Sequence, residues 1–284
     1  MIRKPLLLAL LLCAVAVAQQ PPASTWLTRR PGVPAGKVEE FSVQSKLYDH
    51  TRRVWVYTPA GYDAARKTPY DLVVCFDGSD YGEGGDIPLT TILDNLTADG
   101  KLPPMVALLI DNGSGAKRIS ELGNSARFAQ ALGEEIMPWL RKGWKVTTDP
   151  QRVIVTGSSA GGLGAAYVAY KRPDLFGNVL CQSGAFWRGN EGSNDPPYEW
   201  LAGQFKDSPR LPLRFYLEVG SLETVHAVGV GPVFIDANRR LRDALQAKGY
   251  RIFYKEVPGA HHEPGHWKNE LADGLIWLAN GWRP

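Results

Sequence analysis

The residue best placed to act as a nucleophile in this sequence is Ser159, the central residue of Gly157-Ser-Ser-Ala-Gly161. A GxSxG pentapeptide that follows a buried strand and opens a helix holds its serine on a tight, strained turn above the edge of a sheet. Both conditions are predicted here, because an apolar strand over 152–156 precedes the pentapeptide and a helix rich in small residues over 160–171 follows it. We therefore expect Ser159 to be a nucleophile and Ser158 to point elsewhere.

A serine nucleophile needs a histidine that takes its proton and a carboxylate that orients the histidine, in the chain order serine, acid, histidine. The acid is expected in the turn after the strand predicted over 214–219, where Glu223 lies. Glu218 is the alternative, although it lies inside that strand. The base is expected after the last predicted strand, where the sequence offers three histidines: His261, His262 and His266.

The segment from His262 to His266 also matches HExxH, the zinc-peptidase motif. That motif binds metal only on a helix, where residues four apart share a face. Pro264 and Gly265 disfavour a helix by about 3 and about 1 kcal/mol relative to alanine. We therefore predict no metal site in this segment or elsewhere in the chain.

The elements that must position these residues begin with two alternating strands over 37–47 and 52–58. Strands and helices then alternate along the chain, which predicts an α/β fold with a mostly parallel sheet and helices on both faces. Asn124 is expected to cap a helix that carries apolar residues at a spacing of four. A closing helix is predicted over 267–280, and residues 37–284 are expected to form one domain.

Composition and the N-terminus limit the classes of function. The formal net charge of +3 gives no electrostatic argument for a nucleic-acid partner. Residues 1–18 have the charged start, apolar run and Ala-x-Ala end of a signal peptide, so we expect cleavage after Ala18, export to the periplasm or medium, and no membrane insertion afterwards. Residues 19–36 are expected to form an extended lead-in. Cys75 and Cys181 fall in apolar strands and are expected to be buried free thiols.

Several segments together resemble the esterase D / enterochelin esterase group of α/β-hydrolases, in its exported single-domain form. The segments are Thr58–Tyr62, Arg118–Leu122, Ser159–Leu163, Arg172–Gly177 and Gln182–Trp187. The resemblance runs from about residue 37 to the C-terminus and implies an α/β-hydrolase fold. It also implies hydrolysis of esters and thioesters, including the trilactone siderophore enterobactin, without a cofactor. The separate N-terminal domain of the cytoplasmic enterochelin esterases is not found in this sequence.

The resemblance also implies roles for single residues. Relatives place the acid three residues after a glycine equivalent to Gly220, which selects Glu223. They place the base five residues before a tryptophan equivalent to Trp267, which selects His262 as the predicted base, whereas their glycine spacing selects His261 as the alternative. The oxyanion hole is expected to use the backbone N–H of Ala160, and the resemblance adds that of Ser79 after Asp77-Gly78.

Arg118 and Trp187 are expected to bind substrate, because both follow strands at the edge of the sheet that carries Ser159. A flat aromatic acyl group would suit such a pocket. The predicted function is an exported serine esterase acting on a small-molecule ester, with enterochelin-type siderophore esters favoured. The alternatives are a feruloyl- or acetyl-type carbohydrate esterase and a non-catalytic binding protein on the same fold.

Overall fold

The computed structural model describes residues 25–226, 229 and 231–282 of the 284-residue chain. The predicted signal peptide lies outside these residues. The described strands are β1 (Lys37–Ser45), β2 (His50–Thr58), β3 (Asp71–Phe76), β4 (Met105–Ile110), β5 (Val153–Ser158), β6 (Asn178–Gln182), β7 (Arg214–Gly220) and β8 (Arg251–Val257).

The helices complete the alternating pattern. They are α1 (Gly78–Tyr81), α2 (Leu89–Ala98), α3 (Gly115–Leu122), α4 (Ala126–Ala131), α5 (Met137–Gly143), α6 (Ala160–Lys171), α7 (Trp200–Asp207), α8 (Phe234–Ala247) and α9 (Pro264–Leu278). A π-helical turn, Leu132–Ile136, joins α4 to α5.

All eight strands belong to one sheet, in the order β1-β2-β4-β3-β5-β6-β7-β8. Only β2 runs antiparallel to its neighbours β1 and β4, and every later pairing is parallel. Every residue of β3, β4, β5 and β6 is buried, as expected of parallel strands covered on both faces. The predicted α/β-hydrolase fold with its mostly parallel sheet is confirmed.

Two local predictions are wrong at the starts of helices. Ser125, not Asn124, caps α4, because its hydroxyl accepts a hydrogen bond from the N–H of Phe128 at 3.3 Å. Asn124 has a positive φ of 62° and donates its side-chain amide to the carbonyl of Gly189. The closing helix begins three residues before the predicted position, at Pro264, where the fixed φ of proline favours the first turn of a helix.

The described part of the lead-in packs against α2. The side-chain amide of Asn95 donates to the carbonyls of Trp26 and Thr28, and Arg30 forms an ion pair with Asp99 at 2.6 Å. This segment is therefore held against α2 before β1 begins.

The prediction for the two thiols of the described chain is confirmed, since Cys75 and Cys181 are both free and buried. Among the described residues, none of the helices has the length and apolar character needed to cross a bilayer.

Candidate active site

The carboxyl ends of three adjacent parallel strands are aligned at one edge of the sheet. Ser158 pairs with Gln182, and Gln182 pairs with Glu218, so the chain leaves β5 and β6 at the same level of the sheet. Parallel strands all present their carboxyl ends to the same edge, where α/β folds place their sites. The residues that follow these strands therefore meet although they are far apart in the sequence.

Ser159 lies on a sharp turn between β5 and α6 and has φ 57° and ψ −120°. Its backbone N–H donates to the carbonyl of Gln182 at 2.9 Å, and its carbonyl accepts from the N–H of Ala185 at 2.9 Å. The turn is crowded, since a Cβ on Gly157 would lie 2.7 Å from the backbone of Gly161. A positive φ on a non-glycine residue is strained and persists only where the surroundings enforce it.

The hydroxyl of Ser159 is hydrogen-bonded to one imidazole of the C-terminal segment. Nε2 of His262 lies 2.9 Å from Oγ of Ser159, and Nδ1 of the same ring lies 2.6 Å from Oε2 of Glu223. The ring is held between Phe234 and Trp267, with centroid distances of 4.4 and 5.0 Å. The structure thus brings together the serine, histidine and acid favoured by the sequence.

The second oxygen of Glu223 is also occupied. Oε1 accepts hydrogen bonds from the hydroxyl of Ser183 at 2.5 Å and from the N–H of Gly220 at 2.8 Å. Burial raises the pKa of Glu223, but the hydrogen bonds from His262, Ser183 and Gly220 outweigh burial and lower the pKa below its ordinary value. This carboxyl group is therefore ionised at neutral pH and accepts from Nδ1 of His262.

The other candidate acid and base form a second pair. Nε2 of His266 lies 3.0 Å from Oε2 of Glu218, and both side chains are buried. His261 is exposed and lies beside the pocket. His266 lies in the first turn of α9.

The HExxH segment does not bring its two imidazoles together. His262 precedes α9 and binds Glu223, whereas His266 lies inside α9 and binds Glu218. Among the residues that the structure describes, no group of three or more His, Cys, Asp or Glu side chains is arranged to hold a metal ion.

The two expected oxyanion donors lie at the starts of two helices. Ala160 is the first residue of α6 and lines the pocket beside Ser159. Ser79 is the second residue of α1, and its exposed side chain lines a separate depression with Trp55 and Glu83. The two helix starts are close, because a Cβ on Gly161 of α6 would lie 2.8 Å from the carboxylate of Asp77, the cap of α1.

Arg118 lies in the pocket wall, and its guanidinium is hydrogen-bonded to neighbouring protein groups. Its Nε and one Nη donate to the two oxygens of Asp77 at 2.7 Å each, and the same Nη lies 3.3 Å from the carbonyl of Ser158. The arginine therefore ties α3 to α1 and to the serine turn. Any direct contact with substrate would be an additional role.

The pocket above Ser159 has a volume of about 490 Å³. Trp187 lines it, whereas the other aromatic residues near it in sequence do not: Phe186 is fully buried, Trp200 packs on Tyr167 and Tyr198 lines another groove. The sequence analysis missed several lining residues, which lie on loops without a recognisable motif: Arg188, Leu222, Val225, His226 and Phe234.

Arg188 is the one missed residue with a full positive charge at this pocket. One Nη donates to the carbonyl of Gly192 at 2.7 Å and to the side chain of Asn194 at 2.6 Å. Burial, and then the charge of Arg118, lower the pKa of Arg188. Within the described part of the chain, no carboxylate forms a salt bridge with this guanidinium.

Comparisons with known proteins identify the family of this chain. A model of the family described as "Putative esterase" matches residues 45–278. The iron(III) enterobactin esterase of Dickeya dadantii is 31% identical over 256 residues, which make up 87% of this chain and 56% of that protein. The chain thus spans little more than half the length of that relative.

Two solved esterase structures superpose on this chain over most of its length. The enterobactin esterase of Shigella flexneri, solved in the presence of enterobactin, superposes with a TM-score of 0.78 at 29% identity, covering 91% of this chain and 63% of that one. A ferulic acid esterase from Anaeromyces mucronatus has a TM-score of 0.70 at 21% identity, covering 93% of this chain and 97% of that one. At that identity the second match shows a shared fold only.

Proposed function

Because the chain belongs to the esterase family whose model matches residues 45–278, we propose that it is a serine hydrolase of carboxylic esters. The observation that carries the proposal is the position of His262, whose two ring nitrogens lie 2.9 Å from Ser159 and 2.6 Å from Glu223. These distances are within the range in which a base removes a hydroxyl proton. Ser159, His262 and Glu223 are the proposed nucleophile, base and acid.

The proposed reaction proceeds through an acyl-enzyme. Nε2 of His262 takes the hydroxyl proton while Oγ of Ser159 attacks the ester carbonyl, and the N–H groups of Ala160 and Ser79 stabilise the oxyanion. His262 then gives its proton to the leaving alcohol as the ester C–O bond breaks. A water molecule, deprotonated by the same imidazole, hydrolyses the acyl-enzyme and restores the serine.

Enterochelin-type siderophore esters are the proposed substrate class. The relatives at about 30% identity carry this activity in their names. The pocket supplies chemistry that suits an anionic aromatic acyl group, since Trp187 provides an aromatic wall and Arg188 a cation without a carboxylate partner in the described chain. A neutral feruloyl or acetyl ester would gain little from the cation at Arg188.

A hydrolysis screen tests this proposal. The substrates would be a catecholate trilactone with and without iron(III), a feruloylated sugar, an acetylated sugar and a short p-nitrophenyl ester. We expect the trilactone to have the highest kcat/KM and Ser159→Ala to hydrolyse none of the esters. A higher kcat/KM for the feruloylated sugar would select the carbohydrate-esterase alternative. Hydrolysis of no ester would favour the binding protein.

Export is proposed on the sequence of the N-terminus alone. The charged start, apolar run and Ala16-Val-Ala18 end are typical of a cleaved signal peptide. Mass spectrometry of the protein recovered from the periplasm or medium would then find Gln19 as the first residue. An intact Met1 on the active protein in the cytoplasm would overturn the proposal.

A further inference from the structure

The buried pair of Glu218 and His266 lies directly behind Glu223. Side-chain exposure is 0% for Glu218 and 5% for His266. The second oxygen of Glu218 accepts from the side-chain amide of Gln182 at 3.1 Å, and that amide also donates to the carbonyl of Trp267 at 2.6 Å. Burying a charged pair is unfavourable unless its hydrogen bonds are satisfied, and Nδ1 of His266 has no hydrogen-bond partner in the described chain, so the pair calls for a physical explanation.

The hydroxyl of Ser183 connects this pair to the proposed acid. Oγ of Ser183 lies 2.5 Å from Oε1 of Glu223, 2.9 Å from Nε1 of Trp267 and 3.4 Å from Nε2 of His266. The indole N–H can only donate, so it donates to Ser183. While Glu218 is ionised it can only accept, so Nε2 of His266 carries the proton and faces both Glu218 and Ser183.

These hydrogen bonds therefore meet at the hydroxyl of Ser183. Ser183 receives the indole N–H and faces the imidazole N–H, and its single proton is left for Oε1 of Glu223. Oε1 is then saturated by Ser183 and by the N–H of Gly220, which leaves Oε2 for His262. The proton arrangement of the buried pair thus determines which oxygen of the acid faces the base.

The backbone also fixes the direction of the Ser183 hydroxyl. Ser183 is fully buried with a positive φ of 45°, a conformation that is strained for a residue with a side chain. Its N–H donates to the carbonyl of Glu218 at 2.7 Å, which joins β7 to the turn after β6. Strained residues that the surroundings hold in place cluster at functional sites.

We propose that Ser183, His266 and Glu218 are positioning residues that orient the carboxylate of Glu223 toward His262. The inference rests on the proposed function, because it assigns Glu223 the role of the acid. None of the three touches the reacting atoms. They act through Glu223, by fixing which donor each carboxylate oxygen receives.

The charged groups around His266 agree with this arrangement. Glu218 of β7 and Glu223 of the following turn face the ring, and Glu270 of α9 lies near Glu218 but is paired with Lys255 at 2.5 Å. Burial lowers the pKa of His266, but the hydrogen bond to Glu218 and the charges of Glu218 and Glu223 outweigh burial and raise it. While Glu218 is ionised, Nε2 of His266 therefore carries a proton whether the ring is neutral or charged.

The experiment compares Ser183→Ala, His266→Leu and His266→Gln in the full-length enzyme on one activated ester. For Ser183→Ala and His266→Leu we expect kcat to fall by about 10- to 100-fold with KM unchanged, because misplaced catalytic groups slow the chemical step rather than binding. His266→Gln retains an N–H near the position of Nε2 and should restore most of kcat. The matched control is Thr156→Val, which removes a buried hydroxyl that has no hydrogen-bond partner in the described chain.

Proton NMR of the same variants supplies a readout that a packing role would not change. The Nδ1–H of His262 bonded to Glu223 gives a strongly deshielded resonance, which should shift or vanish in Ser183→Ala and remain in His266→Gln and Thr156→Val. Wild-type kcat and resonance in Ser183→Ala would overturn the inference. Equal losses of kcat in His266→Leu and His266→Gln, with Ser183→Ala impaired, would remove His266 and Glu218 from it. An active Ser159→Ala enzyme would instead refute the proposed function.

Discussion

Two glutamate–histidine pairs lie side by side at the carboxyl edge of the sheet, and they differ in what the imidazole faces. His262 is about one-third exposed, and its second ring nitrogen reaches the hydroxyl of Ser159 in an open pocket. His266 is almost fully buried, and the nitrogen that binds Glu218 also faces Ser183 inside the protein. The same two residue types are thus placed once against solvent and once against the interior.

The difference shows that a carboxylate–imidazole contact does not define a catalytic pair. Both pairs have hydrogen-bonding distances, 2.6 Å for Glu223 with His262 and 3.0 Å for Glu218 with His266. The pKa of Glu223 is lowered, whereas burial, the largest effect on Glu218, raises its pKa against the opposing effect of His266. Of the two pairs, only the first reaches the hydroxyl of Ser159 and the pocket above it.

The histidine variants should show the largest difference in kcat between the two pairs. His262→Ala is expected to lower kcat by about 10⁶-fold, as loss of the base does in other serine hydrolases. His261→Ala and His266→Gln should keep a substantial fraction of the activity, because neither residue contacts Ser159 in the structure. The check is kcat/KM on one activated ester, with folding followed by circular dichroism. An active His262→Ala enzyme beside an inactive His261→Ala enzyme would move the base by one residue.

The glutamate variants should have the next largest effect. Glu223→Gln is expected to lower kcat by about 10⁴-fold with little change in KM, since the amide favours the wrong tautomer of His262. Glu218→Gln should lower kcat by no more than about 100-fold, because it disturbs only the orientation of the acid. Steady-state kinetics of both variants would show which glutamate is the acid. Full activity in Glu223→Gln with loss in Glu218→Gln would place the acid inside β7.

Crowding the turn that holds Ser159 should affect the Glu223–His262 pair alone, because Ser159 contacts His262 and not His266. Gly157→Ala places a Cβ 2.7 Å from the backbone of Gly161 and is expected to reduce the free energy of unfolding by roughly 1–3 kcal/mol and to lower kcat. Gly203→Ala is the control, because it adds a methyl group to open space inside α7 and should raise stability by about 0.5–1 kcal/mol. Urea unfolding of both variants measures the change. Equal stabilities would show that the turn relaxes freely.

The smallest expected effect is on the pH dependence of the free energy of unfolding, to which Glu223 and the Glu218–His266 pair should contribute with opposite signs. The lowered pKa of Glu223 means that its stabilisation is present above the ordinary glutamate value of about 4.3 and is lost as pH falls through the folded value. The raised pKa values of Glu218 and His266 mean that their stabilisation is present below ordinary values of about 4.3 and 6.5 and is lost as pH rises through the folded ones.

Urea unfolding over a range of pH values tests these signs. The stability difference between the wild type and Glu223→Gln should increase with rising pH. The difference between the wild type and the double variant Glu218→Gln/His266→Gln should decrease. Slopes of the same sign for the two comparisons would contradict the distinction between the pairs.

Most of the sheet could be predicted from sequence because buried parallel strands are continuous apolar runs, such as β3 and β4. The short helices α1, α3 and α7 are not predicted from the sequence, since each is eight residues long or shorter. The predicted start of α9 is three residues late because Pro264 and Gly265 disfavour the interior of a helix, although proline is favourable in a first turn. The length of an element and the position of a proline within it therefore limit what the sequence pattern predicts.

The residues of the site separate in the same way. Ser159 has a motif, and Glu223 and His262 follow from strand order and from spacing in relatives, so the sequence predicts all three. Arg188 and Phe234 lie in no recognised motif, and Ser183 lies in the resembling segment Gln182–Trp187 but has no predicted role. They reach the site because the register of β6 and β7 and the path of two loops place them there. Tertiary contacts of this kind leave no periodic signal in the sequence.

Reaction with a fluorophosphonate, followed by peptide mapping, tests the central claim most directly. The reagent forms a covalent bond only with an activated serine, so we predict a single adduct on Ser159 in the wild type. Ser159→Ala and His262→Ala should give no adduct, and His266→Gln should react at Ser159 at close to the wild-type rate. An adduct on Ser158, or undiminished labelling of Ser159 in His262→Ala, would contradict the account.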